Sequence, residues 1–347
     1  MNPINRRRWQ QFRANKRGYY ATLIFMVLFG TSLFAEFIAN DRPIVFSIEG
    51  QTYFPIWMSY SEKSLGGEFE TETHYLDPFF SKLIQRSGWA LWPPFRFSYN
   101  TLDWNLAPPY PHPPDDEHWL GTDGSGTDVL VKLLYSFRLS VLFGLSLTMI
   151  SCTIGITVGA LQGYFGGLID LLGQRLVEIW SGLPVLFILI ILASMVESNI
   201  IWLLAILSLF SWMALVGVVR AEFLRARNFE FVRAARSLGL SNFTIMTRHV
   251  LPNAMVATLT YLPFILNSSI TTLTALDFLG FGLPLDAPSF GRLLSSAKAN
   301  LHAPWIGITT FCALASMLIL LIFIGEAIRD ALDPRKILVT GDAEPYG

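Results

Sequence analysis

Long apolar segments alternate with shorter polar ones along the 347 residues of this chain. A helix that crosses a membrane needs about 20 consecutive, mainly apolar residues, and six segments meet this requirement. We predict membrane-spanning helices at 19–39, 139–164, 171–196, 200–219, 254–276 and 305–325. The pattern therefore predicts an all-α integral membrane protein with six transmembrane helices and an extracytoplasmic insert between the first two.

The composition agrees with a membrane location. Hydrophobic residues make up 52% of the chain and charged residues only 15%, whereas soluble proteins carry about 25% charged residues. The net charge of −1 provides no general attraction to nucleic acid, so we expect no nucleic-acid partner. Cys152 and Cys312 lie in apolar segments, where we expect small buried side chains and no metal site.

The distribution of lysine and arginine predicts the orientation, because basic residues concentrate in cytoplasmic segments. The segment before the first span carries six basic residues and no acidic one, and 220–252 carries six arginines against two glutamates. The region between the first two spans, in contrast, contains 13 of the 26 acidic residues. We therefore expect a multi-pass protein of the bacterial inner (cytoplasmic) membrane, in contact with membrane lipid and with both termini in the cytoplasm.

These assignments divide the chain into four parts. Residues 1–39 form a basic cytoplasmic N-terminus and the first transmembrane helix, and residues 40–137 form a periplasmic insert. Residues 138–333 form a domain of five transmembrane helices with a cytoplasmic loop at 220–252. Residues 334–347 form a cytoplasmic tail.

The insert has the pattern of a small folded region. Alternating apolar and polar residues at 43–48 and 52–57 are typical of strands. Six aromatic residues cluster after them, namely Trp89, Trp92, Phe95, Phe97, Tyr99 and Trp104. Three interpretations of this cluster stay open: a core of the insert itself, a contact with the membrane interface, or a platform for carbohydrate or peptide.

The segment 220–252 is the most informative polar region. Residues 221–238 contain neither Pro nor Gly and predict a helix, which Gly239 ends in the manner of a C-cap. Ser241 is a suitable N-cap for a second short helix, and Pro252 is expected to end that helix and open the fifth span. The segment is therefore predicted to be a helix, a glycine turn and a helix.

One face of the first of these helices suits a docking contact. Phe231, Ala235 and Leu238 recur at i, i+4 and i+7, and arginines flank them. The small side chains at Ala234 and Ala235 allow another surface to approach the backbone. The residues alone leave two interpretations open: a knob that fits a groove on a partner protein, or a surface helix that its arginines hold on anionic lipid.

The same segment resembles the EAA loop of ATP-binding-cassette (ABC) importer permeases. The matching positions are Ala234, Ala235, Gly239, His249, Leu251 and Pro252. Arg233 replaces the usual Glu and His249 the usual Ile, and both departures resemble the oligopeptide/dipeptide branch. Residues 121–140 and 329–335 are similar to the same branch, although Thr127 stands where the family usually has Arg. The insert and residues 180–184 most resemble importers of peptides and microcin C.

The resemblance implies a type I ABC importer permease fold and a transport subunit rather than an enzyme. The chain contains no Gly-Lys pair and hence no phosphate-binding P-loop. The resemblance therefore implies a separate ATPase that binds ATP and Mg²⁺, with no cofactor on this chain. It also implies a second homologous permease and a periplasmic substrate-binding protein. The residues expected to couple to the ATPase are Phe231, Arg233, Ala234, Ala235, Arg236, Gly239, His249, Leu251 and Pro252.

The fifth span carries the candidates for a translocation path, because polar groups in a membrane usually face the interior of the helix bundle. These candidates are Thr260, Asn267, Ser268 and Thr271. In the alternative interpretation, such groups bond to their own helix or to neighbouring helices. An ion-coupled secondary carrier is the rival function, but it normally has ionisable residues at mid-membrane. The central parts of the second, fourth, fifth and sixth spans contain none.

Overall fold

Helices dominate the computed structural model, which describes residues 3–67, 69–103, 106 and 108–332. Trp104 and the predicted tail 334–347 lie outside the described residues. The helices are α1 (Pro3–Ala14), α2 (Lys16–Leu33), α3 (Ala35–Ile38), α4 (Pro78–Ser87), α5 (Val129–Phe165), α6 (Gly167–Ser181), α7 (Val185–Ser194), α8 (Ile200–Ser211), α9 (Met213–Ala226), α10 (Glu230–Ser237), α11 (Asn242–Thr244), α12 (Leu251–Phe278), α13 (Phe290–Ala299) and α14 (Pro304–Leu332). A 3₁₀ turn at Glu62–Leu65 and a π-helical turn at Ile245–Val250 complete them.

The chain divides into two compact units. One contains the described residues of Met1–Val27, Ser140–Leu285 and Leu314–Gly347, and the other contains Leu28–Leu139 and Asp286–Ala313. The first unit holds most of the apolar helices, including the candidate coupling segment. The second holds most of the predicted insert.

Among the described residues, three helices are long and apolar enough to cross a membrane: α5, the continuous helix Asn242–Phe278, and α14. Two bent pairs raise this number to five if each is one span, namely α6 with α7, bent by 71°, and α8 with α9, bent by 43°. The helix α2 is not among these candidates, since Lys16 and Arg17 occupy part of its 18 residues. The helical membrane fold is confirmed, and six spans stay a prediction.

Several predicted boundaries differ from the structure, and the predicted helix 200–219 is two helices, α8 and α9. The helix α5 begins at Val129 rather than 139, because Asp128 accepts a hydrogen bond from the Val131 N–H at 2.8 Å and so satisfies a free N-terminal donor. The predicted helix 171–196 is two helices, since the chain breaks at Gly182–Pro184, where proline cannot donate to the helical ladder.

The insert contains a three-stranded antiparallel sheet. Its strands are β1 (Val45–Ile48), β2 (Gln51–Tyr53) and β3 (Gly88–Leu91), in the order β2-β1-β3. The predicted strands 43–48 and 52–57 thus exist in shortened form, whereas β3 was not predicted. Phe46 on β1 is fully buried against Phe80 of α4, with ring centroids 5.1 Å apart.

The later aromatic cluster largely serves as core. Trp92 packs against the buried cluster around Phe46, and Phe95, Phe97 and Tyr99 pack against a second cluster with Tyr135. Among the three interpretations of this cluster, the structure therefore supports a core of the insert. Trp89, in contrast, is exposed on β3.

A seam of glycines brings α5 and α9 into backbone contact. A Cβ at Gly155 would lie 2.8 Å from the Trp212 carbonyl, and one at Gly159 would lie 2.8 Å from the Val216 carbonyl. The spacing of four residues is that of the small-residue seams that allow close approach of membrane helices. Since α9 leads directly toward α10, this contact fixes the base of the coupling segment. Both cysteines are predicted to be buried, which is confirmed for Cys152 but wrong for Cys312, which lies exposed on α14.

Candidate coupling segment and membrane path

The first helix of the 220–252 segment is interrupted. The predicted continuous helix 221–238 is wrong, because α9 ends at Ala226 and α10 starts at Glu230. The Asn228 amide donates to the Leu224 carbonyl, and short polar side chains of this kind compete with the helical ladder. Phe229 then takes an extended conformation, and its carbonyl accepts the Val232 N–H at 3.0 Å. The interruption allows α10 to take a direction of its own.

The glycine turn after α10 agrees with the prediction. Gly239 has φ of +78°, in the left-handed region that favours glycine. The Gly239 N–H donates to the Arg236 carbonyl at 3.0 Å, and the Leu240 N–H donates to the Ala235 carbonyl at 3.2 Å. Ser241 then acts as the predicted N-cap and accepts the Thr244 N–H at 3.2 Å. Both caps were predictable because they depend only on neighbouring residues.

Pro252 does not end a helix, as the sequence analysis expected. It occupies the first turn of α12, which continues without a break from the π-helical turn. Within that turn the Leu251 N–H donates to the Met246 carbonyl, five residues back. Proline has no backbone N–H to donate to the helical hydrogen bonds. The π-helical turn tolerates this loss because wider, five-residue hydrogen bonds have already replaced the usual α-helical ones there. The loop therefore runs directly into the spanning helix.

The predicted docking face is partly wrong. Ala235 is only 5% exposed and packs with Val232 into the main core cluster, which also contains Ile245 and Val250. Its small side chain therefore allows α10 to lie close to the body of the protein instead of close to a partner. Ala234 remains on the exposed side.

Three apolar side chains form the exposed tip of the segment instead. Leu238 is 81% exposed and Phe243 is 76% exposed, and Phe231 is also exposed. Exposed apolar side chains that lie together mark contacts with a protein partner or with a membrane. Phe243 was missed because it lies beyond the glycine turn, outside the helix that the sequence analysis considered. We call Phe231, Leu238 and Phe243 the apolar tip.

The remaining motif residues divide between surface and core. Arg233 and Pro252 are exposed, His249 is half-buried, and Leu251 packs against the core cluster. The His249 carbonyl accepts from the Asn253 amide at 2.9 Å. The His249 backbone therefore helps to fix the start of α12.

Tyr164, at the end of α5, links both arms of the segment. Its hydroxyl donates to the Asn242 Oδ1 at 2.8 Å, and the Arg236 guanidinium lies over its ring, 5.7 Å from the centroid. Its side chain is itself buried. The sequence analysis did not single out Tyr164, although a tyrosine at the end of an apolar span is a recognisable interface residue.

An ion pair adds a second restraint at the base of the segment. Arg220 donates to Asp170 through two nitrogens, with Nη2 and Oδ2 2.8 Å apart. This bidentate geometry joins α6 to α9 and is specific for guanidinium and carboxylate. The partners lie 50 residues apart, so no local pattern indicates the pair. Together with the glycine seam, it makes α5, α6, α9 and α10 a connected block.

The candidate path residues share one helix but differ in surroundings. The side chains of Thr260, Asn267 and Thr271 follow a spacing that places them on the same side of α12, and Ser268 lies about 100° from Asn267. The Asn267 amide donates to the Leu318 carbonyl of α14 at 3.0 Å. Thr260 and Thr271 bond to carbonyls of α12 itself. Ser268 and Thr271 are exposed.

The sequence of the chain is similar to characterised membrane transport components. Residues 155–338 match the family described as binding-protein-dependent transport system inner membrane component. The chain is 56% identical to the inner membrane ABC transporter permease protein YejE of Escherichia coli (strain K12), over 97% of this chain and 98% of the relative.

Two further relatives extend this similarity. The peptidoglycan transport system permease protein YejE of Agrobacterium fabrum is 52% identical, over 96% of this chain and 94% of the relative. The oligopeptide transport system permease protein OppC of Haemophilus influenzae is 32% identical, over 87% of this chain and 94% of the relative. The similarity thus includes the insert as well as the 220–252 segment.

Proposed function

The chain belongs to the family of binding-protein-dependent transport system inner membrane components, and from this premise we propose that it moves short peptides across the bacterial inner membrane as the permease subunit of an ABC importer. Relatives named for peptidoglycan and oligopeptide transport support a peptide or peptide-like cargo. Microcin C stays a narrower prediction within this class. The rival function, an ion-coupled carrier, is not favoured by any of these relatives.

The apolar tip is the observation that carries this proposal. Leu238 and Phe243 are exposed on either side of the Gly239 turn, and Arg233 is exposed on α10. A protein partner with an apolar groove and acidic rim would bury the tip and neutralise the arginines. We assign this role to a separate ATPase, which binds ATP and Mg²⁺, while this chain binds no cofactor of its own.

Motion of the ATPase would reach the membrane through packed contacts. Val232 and Ala235 fix α10 to the core cluster shared by α5, α9 and α12. The glycine seam and the Asp170–Arg220 pair fix α9 to α5 and α6. A pull on the apolar tip would therefore move these helices as a body rather than unwind the loop. The exposed Ser268 and Thr271 of α12 are the proposed contacts with the cargo.

The rest of the proposed assembly follows the family. We propose six spans, with α2 as the first and each bent pair as one, and with both termini in the cytoplasm. A second homologous permease would complete the path, and a periplasmic substrate-binding protein would deliver the peptide. The basic residues of the N-terminus and of 220–252 support this orientation, because both then lie in the cytoplasm.

Substitution of the turn glycine tests the coupling role. We expect Gly239→Val to strain the turn by about 1–2 kcal/mol, because a side chain disfavours the left-handed conformation. Peptide uptake by the complete importer and co-purification of the ATPase should both fall. Gly217→Val is the matched control: among the described residues nothing lies within 4 Å of a Cβ at either position, and Gly217 lies in regular helix. Unchanged uptake and ATPase recovery in the Gly239 variant would contradict the proposal.

A further inference from the structure

An apolar groove of about 450 Å³ lies between α1, α12 and α14. Trp9 and Phe12 of α1 form one wall, Leu259 and Leu262 of α12 a second, and Ile328 of α14 a third. This volume falls in the usual range for small-molecule sites. It lies away from the apolar tip and is not used by the coupling role.

Specific contacts join the junction of α1 and α2 to α14, next to the groove. Asn15 accepts the Gly18 N–H at 3.2 Å and donates to the Asp330 carboxylate of α14 at 3.2 Å. Gly18 lies so close to Ala327 that a Cβ at Gly18 would overlap the alanine side chain. These contacts hold the junction of α1 and α2 against α14.

The lining of the groove also includes a basic residue. The Arg8 side chain lines it, and its Nε is buried with no hydrogen-bond partner among the described residues. The helix α1 carries four arginines and no acidic residue. Buried N–H groups normally have a hydrogen-bond partner, so the Arg8 Nε calls for one. The planar guanidinium matches the geometry of a phosphate group. The groove thus combines apolar walls with an unsatisfied cationic donor.

We propose that the groove binds an anionic phospholipid, with the phosphodiester headgroup at Arg8 and an acyl chain along Leu259, Leu262 and Ile328. The inference rests on the proposed cytoplasmic location of the N-terminus. Basic pockets between membrane helices on that side suit anionic headgroups. Trp9 has the amphipathic ring that is enriched at the level of the headgroups. The lipid would hold α1 against α14 and against α12, one of the helices proposed to move.

Native mass spectrometry of the complete importer tests this site. The complex is purified from cells, and its retention of added phosphatidylglycerol is compared with that of phosphatidylcholine. We expect one phosphatidylglycerol molecule per permease chain in the native protein, and its loss in Arg8→Ala. Arg6→Ala is the matched control, because Arg6 is exposed on the same helix and does not line the groove. Equal loss in both variants, or retention in Arg8→Ala, would overturn the proposal.

A photoreactive phosphatidylglycerol provides a test that needs no variant. Cross-links are expected on peptides of α1, α12 and α14, reduced by excess phosphatidylglycerol but not by inorganic phosphate. Cross-linking elsewhere, or competition by phosphate alone, would contradict a lipid site. A finding that another subunit covers the groove in the complete importer would also contradict it. Lipid retention is measured without transport. A failure to retain lipid would therefore leave the proposed ATPase coupling intact, and a failure of coupling would leave the lipid site intact.

Discussion

The loop 121–128, which leads into α5, and the turn 238–241, which leads into the helix Asn242–Phe278, are both short and contain glycine, but their polar groups are satisfied in different ways. In the first, Asp123 accepts from the Ser125 N–H at 2.8 Å and from the Lys132 Nζ at 2.5 Å. Asp128 caps α5 and lies 2.7 Å from the His118 Nδ1. His118 is only 1% exposed.

The turn 238–241 has the opposite character. Backbone hydrogen bonds close it, and its side chains project outward, with Leu238 81% exposed. Among the described residues, no atom lies within 4 Å of a Cβ at Gly239. Such a turn keeps its shape without tertiary neighbours and leaves its apolar groups free for another surface.

This difference indicates separate roles: the loop 121–128 stabilises the fold, and the turn 238–241 is proposed to bind a partner. A buried network of charged groups costs free energy when any member is lost, so residues of 121–128 should matter for folding. An exposed apolar side chain contributes little to folding, so Leu238 should matter for assembly. Variants in the two loops should therefore affect different measurements.

The largest expected effect is that of Asp128→Ala on stability. The substitution removes the cap of α5 and leaves the buried His118 without its nearer carboxylate, since the other, Asp103, lies 3.4 Å away. We expect the free energy of unfolding to fall by about 3 kcal/mol, as for other broken buried pairs. Thermal unfolding of the purified complex measures it. Asp116→Ala, at an exposed carboxylate of the insert, is the control and should change little.

Leu238→Asp should have the second largest effect, on assembly alone. A charge in the apolar tip should weaken ATPase binding by about 1.4 kcal/mol or more, which is a tenfold change in affinity. The melting temperature of the permease should stay close to that of the native protein. Leu301→Asp is the control, because Leu301 is 84% exposed but lies outside the 220–252 segment. Equal loss of binding in both variants would refute a specific role for the tip.

The smallest expected effect is a pH dependence of the 121–128 loop. Burial acts to lower the pKa of His118, but hydrogen bonds to Asp128 and Asp103 outweigh it and raise the pKa above the usual value. The resulting stability is present below pH about 6.5 and is lost as the pH rises through the raised pKa. Melting temperatures between pH 6 and pH 8.5 should show this decline. The His118→Gln variant should lack this decline. If the variant shows the same dependence of melting temperature on pH as the native protein, His118 is not its cause.

Local features of the coupling segment were predictable from sequence. The helix ends at Gly239 and Ser241 are capped through bonds between residues three to five positions apart. The apolar and polar pattern likewise predicted the long apolar helices α5, α12 and α14, although α5 starts earlier than expected. Such features depend on the backbone and a few neighbouring side chains, which a sequence displays directly.

Features that depend on tertiary contacts were not predictable. The buried position of Ala235 results from packing against Ile245 and Val250, beyond the turn. The pair between Asp170 and Arg220 joins distant segments. The π-helical turn before Pro252 has no simple sequence signal. The glycine seam is different, since Gly155, Gly159 and Gly163 form a visible repeat at intervals of four residues.

That repeat makes distant positions sensitive to each other. A Cβ at Gly163 would lie 2.5 Å from the Arg220 carbonyl and 2.6 Å from the Phe223 Cβ. One added methyl group at Gly163 would push α9 aside and displace the exposed end of 220–252 with it. Substitutions that disable transport are therefore expected along the contact of α5 with α9 as well as at the proposed ATPase contact.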